Sequence, residues 1–212
     1  ARLLPSVYEK QDAGLSQREN NFTFNINFKN TEKLNTFFRT GISLAEKSSL
    51  QGMIVSDTLF IVTGGAKKLE IKNFSFDNFA LNASYTGKKF SGFFKSDRLW
   101  LIGQTELRDL KTSVELDPDN FVFSILWDNH GTPLKKGKFE AKGFVGNYNN
   151  EKSNPFVIVN IESSDVFSNG RQWKINSSTI RADTTSIEIN RFIINNNNNY
   201  YLVDGRISKN PA

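Results

Sequence analysis

The sequence predicts an all-β fold: a curled, stacked antiparallel sheet with one apolar concave face and one or two short helical turns. Three observations predict it. Apolar and polar residues alternate with period two in run after run, beginning with Phe-Thr-Phe-Asn-Ile-Asn-Phe from Phe22 to Phe28. Helical periodicity is scarce. Turn residues recur at the spacing of about 8–12 residues typical of all-β folds. Successive strand side chains point to opposite faces, so each run is a ribbon with one apolar side and one polar side. Phe dominates the apolar side, with 19 Phe against 3 Trp and 1 Met. Where that side goes is the functional question.

The first strand spans 22–29. Residues 31–38 hold the best helical candidate, because Leu34, Phe37 and Phe38 fall at helical spacing and Thr31 is placed to cap them. A second, weaker turn covers 3–10. Strands follow at 49–55, 59–63, 69–76, 79–86, 89–95 and 99–103. The series continues at 111–116, 121–128, 138–145, 156–163, 171–176, 178–182, 186–195 and 200–208. Gly64-Gly65, Asp128 to Gly131 and Asn169-Gly170 mark turns between them. Ile71 and Phe74 are three apart, as are Phe76 and Phe79, and each step breaks strict alternation. A β-bulge or a new strand explains such a slip, and bulges curve a sheet. The run Asn195 to Asn199 lies between two alternating strands and reads as a hairpin loop, since Asn tolerates positive φ.

The chain has 212 residues, with 38% hydrophobic and 23% charged content. Its mean hydropathy is -0.44. That composition suits much exposed sheet and many polar loops. No linker forces a division, although 147–155 is the clearest break, so residues 1–212 read as a single extended β domain. No apolar run approaches the roughly 20 residues of a membrane helix, and the N-terminus has no apolar signal core. The absence of Cys removes disulfides, thiolate metal sites and Cys nucleophiles, and it suits a bacterial cell envelope. The net charge of +5 is mild, and Lys clusters only at Lys67-Lys68, Lys88-Lys89 and Lys135-Lys136-Lys138, each beside a Gly. These read as Lys-dressed hairpin tips, which argues against nucleic-acid binding.

Catalytic signatures are missing. The only His, His130, sits in a turn with no Gly-x-Ser-x-Gly elbow in the sequence. Asp117-Pro118-Asp119-Asn120 reads as a turn, not as the paired carboxylates of a glycosidase cleft. No P-loop, dinucleotide fingerprint or EF-hand occurs. The residues therefore predict a non-enzyme without cofactor or metal, with function in the apolar face itself. Its expected lining is Phe22, Phe24, Ile26 and Phe28, then Phe121, Phe123, Ile125 and Trp127, then Ile187 and Ile189.

Three blocks carry a family resemblance. Phe121 to Gly137 reads strand, Trp-Asp, turn, Gly. Asp165 to Ile175 contains Asn-Gly-Arg-Gln-Trp-Lys-Ile. Ile187 to Pro211 ends in Asp-Gly-Arg-Ile-Ser-Lys-Asn-Pro. In that order they resemble the TamB family of translocation and assembly module proteins, within the AsmA-like superfamily, in its Bacteroides form. The segments 30–38 and 69–81 are similar to that family's short helix and strand block. The resemblance implies a curled sheet of the β-taco or half-open β-roll kind. It implies a periplasmic internal segment of a longer protein of a Gram-negative bacterium, anchored in the inner membrane. It implies phospholipid or other acyl-chain cargo shielded in the groove, and a role in outer-membrane biogenesis and barrel-protein assembly beside a TamA-like barrel partner. Catalytic residues are not expected. The competing expectation is a cell-surface β-sandwich that binds glycans or acts as an adhesin, with Trp100, Trp127 and Trp173 stacking on sugar rings. An outer-membrane barrel fits less well, because several predicted strands are too short to span.

Overall fold

A computed structural model describes residues 3, 21–29, 31, 35–36, 41–56, 58–101, 105–148 and 154–209. Alternating apolar and β-branched residues form fifteen strands. They are β1 (Asn21–Phe28), β2 (Ile42–Leu44), β3 (Ser48–Val55), β4 (Leu59–Ile71), β5 (Phe74–Thr86), β6 (Lys89–Trp100), β7 (Glu106–Asp117) and β8 (Asn120–Asp128). The rest are β9 (Lys136–Asn147), β10 (Pro155–Ile161), β11 (Ser164–Ser168), β12 (Arg171–Ile175), β13 (Ser178–Asp183), β14 (Ser186–Asn195) and β15 (Tyr200–Ser208). All belong to one antiparallel sheet.

Several strands are halves of longer ones. β2 and β3 lie end to end along β4, with Leu44 opposite Leu69 and Ser49 opposite Gly65. The chain kinks between them at Lys47, whose φ is 65°. β10 and β11 lie end to end along β9, and β12 and β13 along β14. Three joined pairs reduce the fifteen strands to twelve rows. Each row pairs with the next in sequence, so the sheet is a meander without crossovers.

Directly opposed residues in an antiparallel sheet share a face. Register therefore carries the face of Phe24 across the sheet: to Gly52, Val62, Ala83, Gly92, Val114, Phe123, Ala141 and Ile161. We call this the inner face. Along two lines it advances by three residues instead of two. The first line crosses four strands, stepping from Ala66 to Leu69, Phe76 to Phe79, Ser96 to Leu99 and Leu107 to Leu110. Asn78 and Asp109 make the slip, with φ of 51° and 47°. The second line steps from Ile161 to Ser164, Ile175 to Ser178 and Ile189 to Phe192, with Arg191 at φ 48°.

These two lines are creases. Bulged residues bend a strand and sharpen its twist. Among the described residues, all nine buried apolar side chains lie on the inner face, and six of them flank a crease: Ala66, Leu69, Leu99, Leu110, Ile161 and Ile175. Side chains converge where a sheet bends toward them, so the curl is concave on the inner side. A crease also interrupts the backbone ladder, and buried Ser hydroxyls take up the carbonyls beside it. Ser96 Oγ lies 2.6 Å from the Asp77 carbonyl oxygen, and Ser178 Oγ donates to the Asn190 carbonyl at 2.8 Å.

The predicted elements hold with local corrections. The step from Ile71 to Phe74 is a hairpin at Lys72 (φ 52°), whereas Phe76 to Phe79 is a bulge. Gly64-Gly65 is no turn and Lys67-Lys68 no hairpin tip. Both sit inside β4, so the predicted strands 59–63 and 69–76 give way to two long strands meeting at Lys72. Residues 89–95 and 99–100 likewise join in β6, while 102–104 lie outside the described residues. β2 and β11 were not predicted as separate strands. Asn169 and Gly170 both have positive φ, as a two-residue hairpin turn requires. The loop at Asn196 to Asn199 closes differently from expectation: Asn196 Oδ1 accepts the N–H groups of Asn198 and Asn199, an Asx turn. In the helical candidate, the Asn35 N–H donates to the Thr31 carbonyl at 2.8 Å. Thr31 acts as a strand partner, its hydroxyl accepting the Leu44 N–H at 2.9 Å and facing the Leu44 carbonyl. Residues 32–34 and 37–38, and nearly all of 3–10, lie outside the described residues.

Two predictions follow from the creases and turns. Ser96→Ala strands a buried carbonyl and lowers stability by about 1–3 kcal/mol, whereas Ser124→Ala on the other face changes it by less than about 0.5 kcal/mol; urea denaturation measures both. At the β13–β14 turn, Asp183 accepts the Thr185 hydroxyl at 2.8 Å, the Thr185 N–H at 2.8 Å and the Ser186 N–H at 2.7 Å. The Thr185 hydroxyl first, then these backbone N–H groups, hold its carboxyl well below the usual carboxylate range. The stabilisation is present above the unfolded-state pKa and is lost as pH falls below about 4. Denaturation midpoints at pH 6 and pH 3 are expected to differ more for the native chain than for Asp183→Asn.

Candidate functional site

The inner face is the one extended apolar surface among the described residues. Register places all ten predicted residues on it. Phe22, Phe24, Ile26 and Phe28 lie opposite Ile54, Gly52, Leu50 and Ser48. Phe121, Phe123, Ile125 and Trp127 lie opposite Gly143, Ala141, Phe139 and Gly137. Ile187 and Ile189 lie opposite Ala182 and Ile180. The three groups share a face but not a neighbourhood, since β1, β8 and β14 are far apart in strand order. Apart from Arg171 at a hairpin tip and residues of the slips, the face carries no charged side chain.

Its depth profile is that of an open surface. Small residues and the aliphatic residues beside the creases form the floor: Ala66, Ala83, Ala141, Ser48, Ser96 and Thr112 are buried with Leu69, Leu99, Leu110, Ile161 and Ile175. Away from the creases large residues stand above it, and Phe22 is 57% and Ile187 47% exposed. Ser48 is the largest side chain below 2% exposure. A closed core of this size would hide several Phe completely. Phe76, Phe79 and Phe94 cluster over the first crease, with ring centres 5.9–6.2 Å apart.

Glycines are the part that alternation does not reveal. Six strand glycines among the described residues face inward: Gly52, Gly64, Gly92, Gly137, Gly143 and, opposite Ile189, Gly205. A methyl group on Gly52 would come within 2.6 Å of the Phe24 ring, and one on Gly137 would collide with the Trp127 ring. At Gly143 it would collide with the Phe121 ring and approach the Ile158 carbonyl oxygen to 2.5 Å. Three of the predicted aromatics thus lie flat across a glycine in the next strand. The signal is a pairing of Gly with an aromatic, visible only once register is known.

The outer face carries the ion pairs, together with an aromatic group of Phe144, Tyr148 and Phe156 whose ring centres lie 4.8–5.8 Å apart and exposed Phe93 and Leu126. Arg98 binds Asp77 at 3.0 Å, Lys89 binds Glu115 at 2.8 Å and Lys142 binds Glu162 at 3.2 Å. Such exposed pairs contribute little stability; they mark the side that meets water. Trp100 belongs here, its Nε1 donating to Asp77 at 3.3 Å. Trp127 and Trp173 face inward, and Trp173 stacks on Tyr201 with centres 5.8 Å apart. His130 is 69% exposed in its turn, 3.4 Å from Asp109 and 3.5 Å from Asp128. The Lys111 ammonium, and after it His130, holds the Asp109 carboxyl below its ordinary range. A polar hollow opens beside Asp165, Arg171, Gln172, Lys174 and the Asn196 loop. No cluster of three or more acidic or His side chains suited to a metal occurs among the described residues. No described helix is long and apolar enough to cross a membrane.

No family model matches the chain, and no curated protein or solved structure is significantly similar to it. Gly143→Ala is expected to cost about 1–3 kcal/mol by overpacking, because backbone as well as a ring blocks the added methyl. Gly65→Ala, with only ordinary contact to the Phe79 carbonyl oxygen at 3.4 Å, is the control. Equal denaturation midpoints for the two variants would remove the packing role of the inward glycines.

Proposed function

We propose that this chain is a non-catalytic segment of a TamB-like envelope protein that shields acyl chains along its inner face. One observation carries the reading: every buried apolar residue and most of the aromatics among the described residues gather on one face of a single curled sheet, and no second layer covers that face among the described residues. An exposed apolar surface of this extent marks a binding site. A phospholipid acyl chain is long, thin and uncharged, and it matches a trough without charged residues. A chain of about sixteen carbons gains on the order of 10 kcal/mol on full burial, at about 0.8 kcal/mol per methylene. An open trough captures part of that, which suits cargo that must be released. Periplasmic location, support of outer-membrane biogenesis and a TamA-like barrel partner belong to the same proposal through the family resemblance. The two-layer glycan-binding alternative gains no support from a one-layer sheet.

The test is direct. The purified chain should carry phospholipid in native mass spectrometry and should bind a fluorescent sixteen-carbon fatty acid. Phe123→Asp and Ile189→Asp should weaken that binding at least tenfold, while Ser124→Asp on the outer face leaves it unchanged. Lipid-free protein, together with probe binding indifferent to Phe123→Asp in a variant of native circular dichroism, would sink the proposal.

A further inference from the structure

We infer that the hollow between the β11–β12 and β14–β15 hairpins is a binding site for a phosphorylated polyol such as glycerol phosphate. β12 pairs with β14 at only two positions, Lys174 opposite Asn195 and Ile175 opposite Ile194. Beyond them the two hairpins splay and leave a hollow of about 700 Å³, a size that suits a small ligand. Its lining is wholly polar. It opens on the outer face, where Lys174 stands between Asp165 and Asn195. On the inner face, Trp173 stacks on Tyr201. The site therefore stands independently of what the inner face carries. The described chain enters and leaves the sheet at the opposite edge, with Leu3 beside Asp119, Asn21 opposite Val55 and Lys209 beside Thr185.

The chemistry of the walls selects the ligand. Arg171 and Lys174 line the hollow, and neither has an ion-pair partner among the described residues. Asp165 alone opposes them among the lining residues, so the hollow carries a net positive charge. Lys136 adds to that field from β9, its ammonium 5.3 Å above the Phe167 ring. The main chain supplies a further donor. The Asn176 N–H donates to the Ile193 carbonyl at 3.0 Å, and ladder bonds to one neighbour recur at every second residue of an antiparallel strand. The N–H and C=O of Lys174 therefore face Asn195, and those of Gln172 point into the hollow, where β14 offers no partner. A guanidinium fork, an ammonium and a main-chain N–H match the three oxygens of a phosphate ester. The other wall is built of carboxamides. Asn196 Oδ1 accepts the N–H groups of Asn198 and Asn199, and the Asn196 N–H donates to the Asn199 carbonyl at 2.8 Å, so this turn is closed before a ligand arrives. Asn195 also lines the hollow, and its Oδ1 is buried without a hydrogen-bond partner; a buried acceptor calls for a donor. Hydroxyl groups both donate and accept, as the carboxamides and Asp165 require. An acyl chain or a nucleobase finds no apolar side chain to rest on there.

Isothermal titration calorimetry with α-glycerol phosphate, the smallest probe that carries both groups, tests the site. It should bind at least tenfold more tightly than inorganic phosphate or glycerol, each of which supplies only part of the recognised chemistry. Arg171→Gln and Lys174→Gln should each weaken binding at least tenfold; both side chains are exposed, so the fold is kept. Lys142→Gln, on the outer face away from the hollow, should leave binding unchanged. The phosphate ester can come from a soluble compound or from a lipid headgroup, and flotation with phosphatidylglycerol vesicles separates the two. Capture that Arg171→Gln abolishes assigns the headgroup, whereas no capture beside intact glycerol phosphate binding assigns a soluble ligand. Absence of binding at millimolar α-glycerol phosphate overturns the inference. So does equal affinity for inorganic phosphate, or binding indifferent to both Gln variants.

Discussion

A one-layer sheet has no opposing layer on which to bury its apolar side. Only its own curvature can draw those side chains out of water. In this protein the curvature is concentrated at two creases, where neighbouring strands each spend one extra residue at the same level. The most deeply buried apolar residue, Leu110 at 3% exposure, sits beside the first of them. Strand twist of roughly 20–25° per row adds a general coil, but twist alone does not explain why burial peaks along two lines. The creases do, and the apolar face, the buried Ser hydroxyls and the open rim all depend on them.

Curvature by bulging sets conditions on the residues nearby. Each crease frees backbone groups on its concave side, and in the dry floor they need partners. Ser96 and Ser178 supply hydroxyls there while remaining small enough to sit beneath aromatic neighbours. On the outer face, Asn78 reaches across the first crease to Asp97 at 2.7 Å. The inward glycines solve the complementary problem, since a curled floor has too little room for a side chain beneath each flat ring. The outcome is a surface that is apolar yet unsealed. The chain's stability therefore rests on neighbour-to-neighbour packing along the meander, and less on any central core.

Much of this was legible in the residue order. The strands at Ser186–Asn195 and Tyr200–Ser208 match their predicted limits, because both alternate cleanly and are bounded by turn-forming residues. The slip between Phe76 and Phe79 was visible because both flanking residues are aromatic. Its counterparts between Ala66 and Leu69 and between Ser96 and Leu99 were not, because Ala and Ser are ambiguous markers of a face. Gly64-Gly65 and Lys67-Lys68 imitated a turn for the same reason: at a crease, small and charged residues cluster inside a continuous strand. The Asn196 loop lay where it was expected but closes through a side-chain oxygen, a choice that composition alone cannot distinguish from positive φ.

The sequence by itself determined which residues can share a face, because strand alternation is a local property of the chain. Phe22 to Phe28, Phe121 to Trp127 and Ile187 to Ile189 were apolar ribbons before any pairing was known. Only the tertiary structure decided that the three ribbons face the same way, since that depends on register accumulated across twelve rows and on slips that occur in step. It alone decided that the ribbons lie on one curled layer rather than between two packed layers. Both arrangements satisfy the same alternation, and they differ only in how far the bent backbone brings distant side chains together.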